Sequence, residues 1–239
     1  MPKSLSADAT VIPAGGQGDT GLEWCELGPD DIDAIFALHL AGMAGLPDPG
    51  IVKPERREFF AMLLGGGGRI LGVRHGSDLI AYGVLQYDLS SEGVPRRALG
   101  VGASEPVAKL AGAAVAQGYR GRGLQRLLAR RRVALAAAAG YRHLFSTSSP
   151  QNPVSWANLL AEGFVIVDLA EKYGGLLRFI LHRQPDREAI APALWCAADE
   201  SDAVRRHLAS GHIGVAQRVA SDGRVEIGFG AAAQREAVE

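Results

Sequence analysis

Residues 115–125 read Val-Ala-Gln-Gly-Tyr-Arg-Gly-Arg-Gly-Leu-Gln. An apolar run, Pro106 to Ala116, precedes them and predicts a strand. Leu124–Ala139 follows and predicts a helix. A strand that turns through glycines into a helix N-terminus is suited to hold phosphate. Glycine lets the backbone approach a ligand closely. The first N–H groups of a helix have no partner inside it, and the dipole there favours anions. Arg120 and Arg122 add fixed positive charge.

The loop admits simpler readings too. Strand–glycine–helix turns with solvated arginines are common in α/β proteins. Gly121-Arg-Gly123 also begins the dinucleotide pattern G-x-G-x-x-G. However, Arg126 stands at the third glycine, and Tyr141, Arg142 and His143 stand where a ribose-binding acid belongs. A Walker A loop is excluded, because no Gly-Lys-Ser/Thr follows.

A second stretch bears on the choice. Residues 146–164 read Ser-Thr-Ser-Ser-Pro-Gln-Asn-Pro-Val-Ser-Trp-Ala-Asn-Leu-Leu-Ala-Glu-Gly-Phe. Asn152 suits a helix cap, Pro153 the first helical position and Gly163 the left-handed residue past the helix end. With Arg120-Gly-Arg-Gly-Leu-Gln125, this stretch resembles the GNAT superfamily of acyl-CoA-dependent N-acyltransferases. That family carries Arg/Gln-x-x-Gly-x-Gly/Ala, then Asn-x-x-Ala/Ser opening a helix that ends at Gly-Phe. Gln125 departs from the small residue at the end of the first pattern.

The pattern along the chain agrees in order. A strand at Leu22–Leu27 precedes a helix opened by Asp30 and Asp31 and a second helix near Pro54–Leu64. Strands at Arg69–Arg74 and Leu79–Leu89 join through a hairpin turn. A loose 90–105 loop leads to strand 106–116, helix 124–139, strand 143–148, helix 153–161 and strands 164–168 and 174–182. The expected fold is α+β: a mixed, mostly antiparallel sheet of about seven strands flanked by helices. The resemblance spans 21–183, after a flexible tail at 1–20. A small C-terminal extension at 184–230, a helix at Asp199–Ser210 and a hairpin about Ser221-Asp222-Gly223, is expected to pack on the sheet edge, before a tail at 231–239.

The resemblance implies acetyl-CoA or another acyl-CoA as co-substrate, entering where the parallel fourth and fifth strands splay. Cofactor contacts fall on Val115, Gln117, Gly118, Arg120, Gly121, Arg122, Gly123, Leu124 and Gln125. Asn152 and Ser155 are added along the pantetheine arm. The strand N–H that polarises the acyl carbonyl is expected near Val115. The family's acid, a tyrosine seven positions after the asparagine, is here Leu159. Tyr173, before the last strand, is the replacement candidate. Asp88, Glu92 and Glu23 are candidate bases, each also readable as an exposed charge. Arg126, Arg130 and Arg132 read as the wet face of their helix, and Ser146, Ser148 and Ser149 as strand-end and turn residues.

Composition narrows the classes. The chain has 239 residues, is 47% hydrophobic and carries a net charge of −1, which argues against a general nucleic-acid or membrane-surface binder. No run of eighteen apolar residues is present, and the first twenty lack a signal-peptide core. Cys25 and Cys196 do not make a disulfide framework, so a reducing, cytoplasmic setting is expected. Abundant Ala, Gly and Arg fits a bacterial source. No histidine has metal-ligand spacing with partners, so no metal is expected. The leading expectation is an N-acyltransferase acting on a small-molecule or peptide amine, with homodimerisation frequent in the family. The rival is a non-catalytic acyl-CoA-binding or sensor domain of the same fold.

Overall fold

The computed structural model describes residues 21–44 and 46–232. The expected tail at 1–20, and the expected tail at 231–239 apart from its first two residues, lie outside them. Strand β1 is Leu22–Glu26, followed by helices α1, Ile32–Met43, and α2, Arg57–Met62. A hairpin of β2, Gly68–His75, and β3, Asp78–Gln86, leads through a short helix α3, Arg96–Leu99, to β4, Val107–Val115. Then come α4, Leu124–Ala138, β5, His143–Ser148, α5, Pro153–Leu160, β6, Val165–Lys172, and β7, Leu176–Arg183. The chain continues with β8, Leu194–Ala197, α6, Ser201–Ala209, β9, His212–Val219, and β10, Val225–Ala231.

Local chemistry explains the boundaries. Asn152 caps α5, its Oδ1 accepting the Ser155 N–H at 3.2 Å, with Pro153 in the first position. The four glycines at 65–68 end the second helix in a wide turn, and Gly76 serves the β2–β3 turn with φ +59°. In α4 the buried positions are Leu124, Leu128, Ala129, Arg132, Val133 and Ala136. That is one stripe at helical spacing.

The sheet has ten strands in the order β1-β2-β3-β4-β5-β7-β6-β9-β10-β8. This corrects the expected seven. The sequence showed the helix and hairpin of the extension, but β8 is four residues long and follows Pro192, too short to display alternation. β8, β9 and β10 extend the sheet beyond β6, and they join it through a single ladder pair, Ile166 with Gly214. A Cβ on Gly214 would stand 2.9 Å from Ile227 and 3.0 Å from Ile166, so the strands meet where that side chain is missing. Ile227, Phe229 and Val204 of the extension share one core cluster with Trp156, Phe179 and Leu181. A second cluster, with Ile35, Leu38, Phe60, Tyr82 and Val84, seats α1 and α2 on the sheet.

Among the described strands only β4 and β5 run parallel, and their ladder holds three pairs: Val107 with His143, Ala108 with Leu144 and Lys109 with Phe145. Beyond these the strands separate. The next β4 carbonyl, Leu110 O, accepts from the Ser146 hydroxyl at 2.7 Å instead of from a backbone N–H. Ser146 is therefore a mid-strand bridge rather than a strand-end residue.

Candidate active site

The separation of β4 and β5 opens a narrow cleft with a cavity volume of about 140 Å3. Gln125, Ala129 and Arg132 of α4 line one wall, with Asn152, Ser155 and Asn158 of α5 beside them. Lys53, Glu55, Lys109 and Tyr173 line the far end.

The glycine loop sits where β4 runs into α4. Val115 ends β4 in a regular pair with Ala81, and its carbonyl accepts from Arg120 Nε at 3.1 Å. Gln117, Gly118 and Tyr119 form a 3-10 turn. Gly121 and Gly123 have φ of +78° and +76°, left-handed values that favour glycine. Arg122 donates to Gly118 O at 3.3 Å and lies over the Tyr119 ring. The Tyr119 hydroxyl pairs with His75 Nδ1 at 2.7 Å, which ties it to the β2–β3 turn. Gly123 caps α4 and Leu124 is its first buried residue. Of the eleven expected cofactor contacts, Gln125, Asn152 and Ser155 line the enclosed cleft; Val115 and residues 117–124 lie outside its lining. Gln125 Oε1 accepts from Asn158 Nδ2 at 3.3 Å, so the departing residue bridges α4 to α5.

The bulge of β4 lies earlier than expected. Gly83 pairs with Ala113 and Leu85 with Leu110, so one β3 residue faces two β4 residues, Ala111 and Gly112. Val115 is three residues further on. A bulge leaves backbone groups outside the ladder, and here Arg132 takes two of them. Its Nη1 donates to Val84 O at 2.9 Å and Ala111 O at 3.3 Å, and its Nε to Leu128 O at 3.1 Å. Arg132 is 3% exposed, and burial pushes its guanidinium down to about 10. The wet-face expectation therefore fails for Arg132. Arg126 and Arg130 do face out, both paired with Glu162. The signal was present: Arg132 lies four and eight residues after Leu128 and Leu124, on the apolar stripe. Its charge hid that spacing.

A polar chain crosses the far end of the cleft. Thr147 Oγ1 meets the Tyr173 hydroxyl at 3.0 Å, and Lys109 Nζ donates to that hydroxyl at 3.1 Å. Lys109 pairs with Glu92 at 2.8 Å, Glu92 faces Lys53 at 3.7 Å, and Lys53 pairs with Glu55 at 3.0 Å. Lys53 Nζ also lies 4.7 Å above the Tyr173 ring. Tyr173 is the one non-glycine among the described residues with positive φ, +56°. Backbone in that region costs of order 1–3 kcal/mol and marks places where surroundings force the geometry.

Glu92 is not the exposed charge the sequence suggested: its side chain is 7% exposed. Burial alone would raise its carboxyl, but Lys109 and Lys53 outweigh that and hold it below the usual range. For Glu55 the balance reverses. Burial lifts its carboxyl, and Lys53 offsets the lift only in part. Lys53 is pulled down by burial, yet its partners Glu55 and Glu92 carry it above the ordinary lysine value. Asp88 accepts from the Ser90 N–H outside the cleft lining, and Glu23 lies on β1, four strands from the gap. Lys53, Glu55, Lys109 and His39 were missed. They are scattered singly along the chain, and only the fold brings them together. Leu159, at the family's tyrosine position, is buried and lines the cleft. Among the described residues no group of three or more His, Cys, Asp or Glu stands ready for a metal, and no helix is long and apolar enough to cross a membrane.

No curated protein matches the chain in sequence. Solved structures resemble it in fold. The ribosomal-protein-S18-alanine N-acetyltransferase of Escherichia coli superposes with a TM-score of 0.53 at 17% identity, over 70% of this chain and 96% of that one. The Salmonella typhimurium protein yncA, solved with its cofactor acetyl-CoA, gives 0.53 at 15% identity, over 73% and 100%. The Vibrio fischeri ribosomal-protein-S5-alanine acetyltransferase gives 0.52 at 15%, over 71% and 96%. At these identities the likeness is one of fold. The Acetyltransferase (GNAT) family model matches residues 42–164, just over half of the chain. With that match over the glycine loop, the splayed strands and the Asn152 helix, the chain belongs to the GNAT acetyltransferase family.

Proposed function

We propose that this protein transfers an acyl group, most simply acetyl, from acyl-CoA to a primary amine by direct attack. The observation that carries the reading is the Tyr173 hydroxyl, held between Lys109 and Thr147 at the far end of the cleft between β4 and β5. An acyl-CoA-binding domain without catalysis has no need of a strained tyrosine with an ammonium on its hydroxyl.

In this reading the pyrophosphate lies on the N–H groups of the 117–124 loop at the start of α4. The pantetheine arm enters between the strands. Asn152 spends its Oδ1 on the helix cap, which leaves its amide nitrogen to donate to the arm, with Ser155 beside it. The acyl oxygen meets strand N–H groups at the Ala111–Gly112 bulge, donors that strengthen as charge develops. Tyr173 supplies the proton to the departing thiolate, a role worth about 10²–10⁴-fold for a general acid. The acceptor is a small-molecule or peptide amine that reaches the thioester past Lys53 and Glu55.

Two measurements test this. Calorimetric titration with acetyl-CoA, CoA and NADH should show binding of the first two alone. A thiol-release assay over a panel of primary amines should then show turnover. Binding without thiol release would favour the sensor reading, and no binding at all would reduce the glycine loop to a turn.

A further inference from the structure

We propose that Glu55 is the general base that takes the proton from the acceptor amine, and that His39 and Tyr82 are the positioning residues that aim it. The inference rests on the acyltransferase reading above and goes beyond it by assigning the base. Elimination at the cleft carries it. The titratable side chains lining the cleft are His39, Lys53, Glu55, Tyr82, Lys109, Arg132, Tyr173 and Arg178. Arg132 and Arg178 are guanidinium ions bonded to backbone carbonyls. Lys53 and Lys109 are held as ammonium ions by carboxylates. Tyr173 already serves as the acid. Glu92, behind the lining, has one oxygen on Lys109 and the other facing Lys53.

His39 is excluded by its hydrogen bonds. The Glu55 backbone N–H can only donate, and it does so to His39 Nε2 at 3.0 Å. The ring hydrogen therefore sits on Nδ1 and points to the Tyr82 hydroxyl at 3.0 Å. Both ring nitrogens are occupied, and burial favours the neutral ring. Glu55 remains. Its carboxylate lines the cleft, with Oε1 on Lys53 at 3.0 Å. Its basicity is lifted by burial, the direction a base working near neutral pH needs. The groups facing it are Lys53 from its own segment, Glu92 from the loop between β3 and α3, Lys109 from β4, His39 from α1 and Tyr82 from β3. Pro54 stiffens the segment, and His39 clamps its backbone one residue later.

The proton count closes. An alkylammonium gives one proton to Glu55 Oε2 and becomes a neutral amine. Its lone pair forms the N–C bond, the C–S bond breaks, and its electron pair leaves on sulfur. Tyr173 protonates the thiolate, and the second nitrogen proton restores the phenol. Glu55 then releases its proton to water.

The test uses the full-length protein, acetyl-CoA and the best amine from the panel. Glu55→Gln should lower kcat/KM by about 10²–10⁴-fold near neutral pH, leave acetyl-CoA affinity unchanged, and lose the acid limb of the pH profile. Methoxyamine, already neutral near pH 7, should suffer a much smaller loss, and formate should restore part of the activity of Glu55→Ala. A Glu55→Gln protein that keeps the wild-type rate and acid limb overturns the assignment. So does an equal loss with methoxyamine, or loss of acetyl-CoA binding in both variants. A wild-type protein that binds acetyl-CoA yet releases no thiol to any amine overturns the acyltransferase reading first, and this assignment with it.

Discussion

Adding one methyl group at Gly83 should disturb the site through Arg132. A Cβ there would stand 2.9 Å from Arg132 Nε and 3.0 Å from Cζ, closer than real Cβ contacts come. The guanidinium cannot swing away freely, because it is buried and holds three carbonyls at 2.9, 3.1 and 3.3 Å. A hydrogen bond from a charged donor contributes about 1.5–3 kcal/mol, and a buried charge that loses its partners costs about 3–5 kcal/mol. Gly83→Ala should thus destabilise the fold by about 2–4 kcal/mol, between one lost bond and all three. At about 2–4 °C per kcal/mol for a chain of this size, Tm should fall by about 4–16 °C. The control is the same substitution in an Arg132→Met background, where it should cost under about 1 kcal/mol, because no tethered ion remains to be displaced. Urea denaturation of all four proteins measures the coupling. A loss below about 0.5 kcal/mol in the parent, or the same loss in both backgrounds, would refute the claim that Gly83 exists to admit Arg132.

Other outcomes follow from the same geometry. Gly123→Glu should abolish CoA binding in a calorimeter while the protein still folds; open space surrounds Gly123, and its left-handed backbone adds about 1–2 kcal/mol of strain. Tyr173→Phe should cut turnover by about 10²-fold or more with acetyl-CoA affinity retained; an unchanged rate would remove Tyr173 from the acid role. Asn152→Ala should cost about 1 kcal/mol of stability through the lost cap and weaken CoA binding less than Gly123→Glu does. Glu92 is held below its ordinary value of 4.5 by Lys109 and Lys53, so it stabilises the fold above that pH, and the contribution is lost as pH falls through the depressed value. Glu92→Gln should erase that acid-side loss and destabilise the neutral protein by about 3–5 kcal/mol, because the buried Lys109 ammonium loses its carboxylate; denaturation curves against pH would show both effects.

The legible parts of this chain are those whose signals are local. The glycine loop, the Asn152 cap and the Gly76 turn each carry their reason within a few residues, and the strand and helix boundaries around them fall within a few residues of expectation. What could not be read is assembled across distance. Glu92 and Lys109 are ordinary surface charges until β4 and the preceding loop bury them against each other. Lys53 and Glu55 follow a turn cluster that says nothing about the cleft it borders. The bulge at Ala111–Gly112 has no sequence mark in a run of alanines, and its position shows only in the register against β3. Arg132 was readable by spacing and was missed because charge was given more weight than period. Tyr173 stands near the gap by order alone, but the left-handed backbone that presents it appears only in the fold.

The joint between β6 and β9 gives this sheet an odd mechanical character. Along the backbone, the C-terminal strands hang from the rest by one rung, and that rung depends on Gly214 having no side chain. Through the side chains, the same strands supply Ile227, Phe229 and Val204 to the core that holds Trp156 and Phe179. A chain cut after Arg183 would keep every residue that lines the cleft, yet it would open one wall of its own interior to water. Amide exchange should therefore find a loose seam at Ile166 inside a molecule that still melts in a single step. Whatever is fused to the C-terminal end would pull, through that seam, on the core beneath α5.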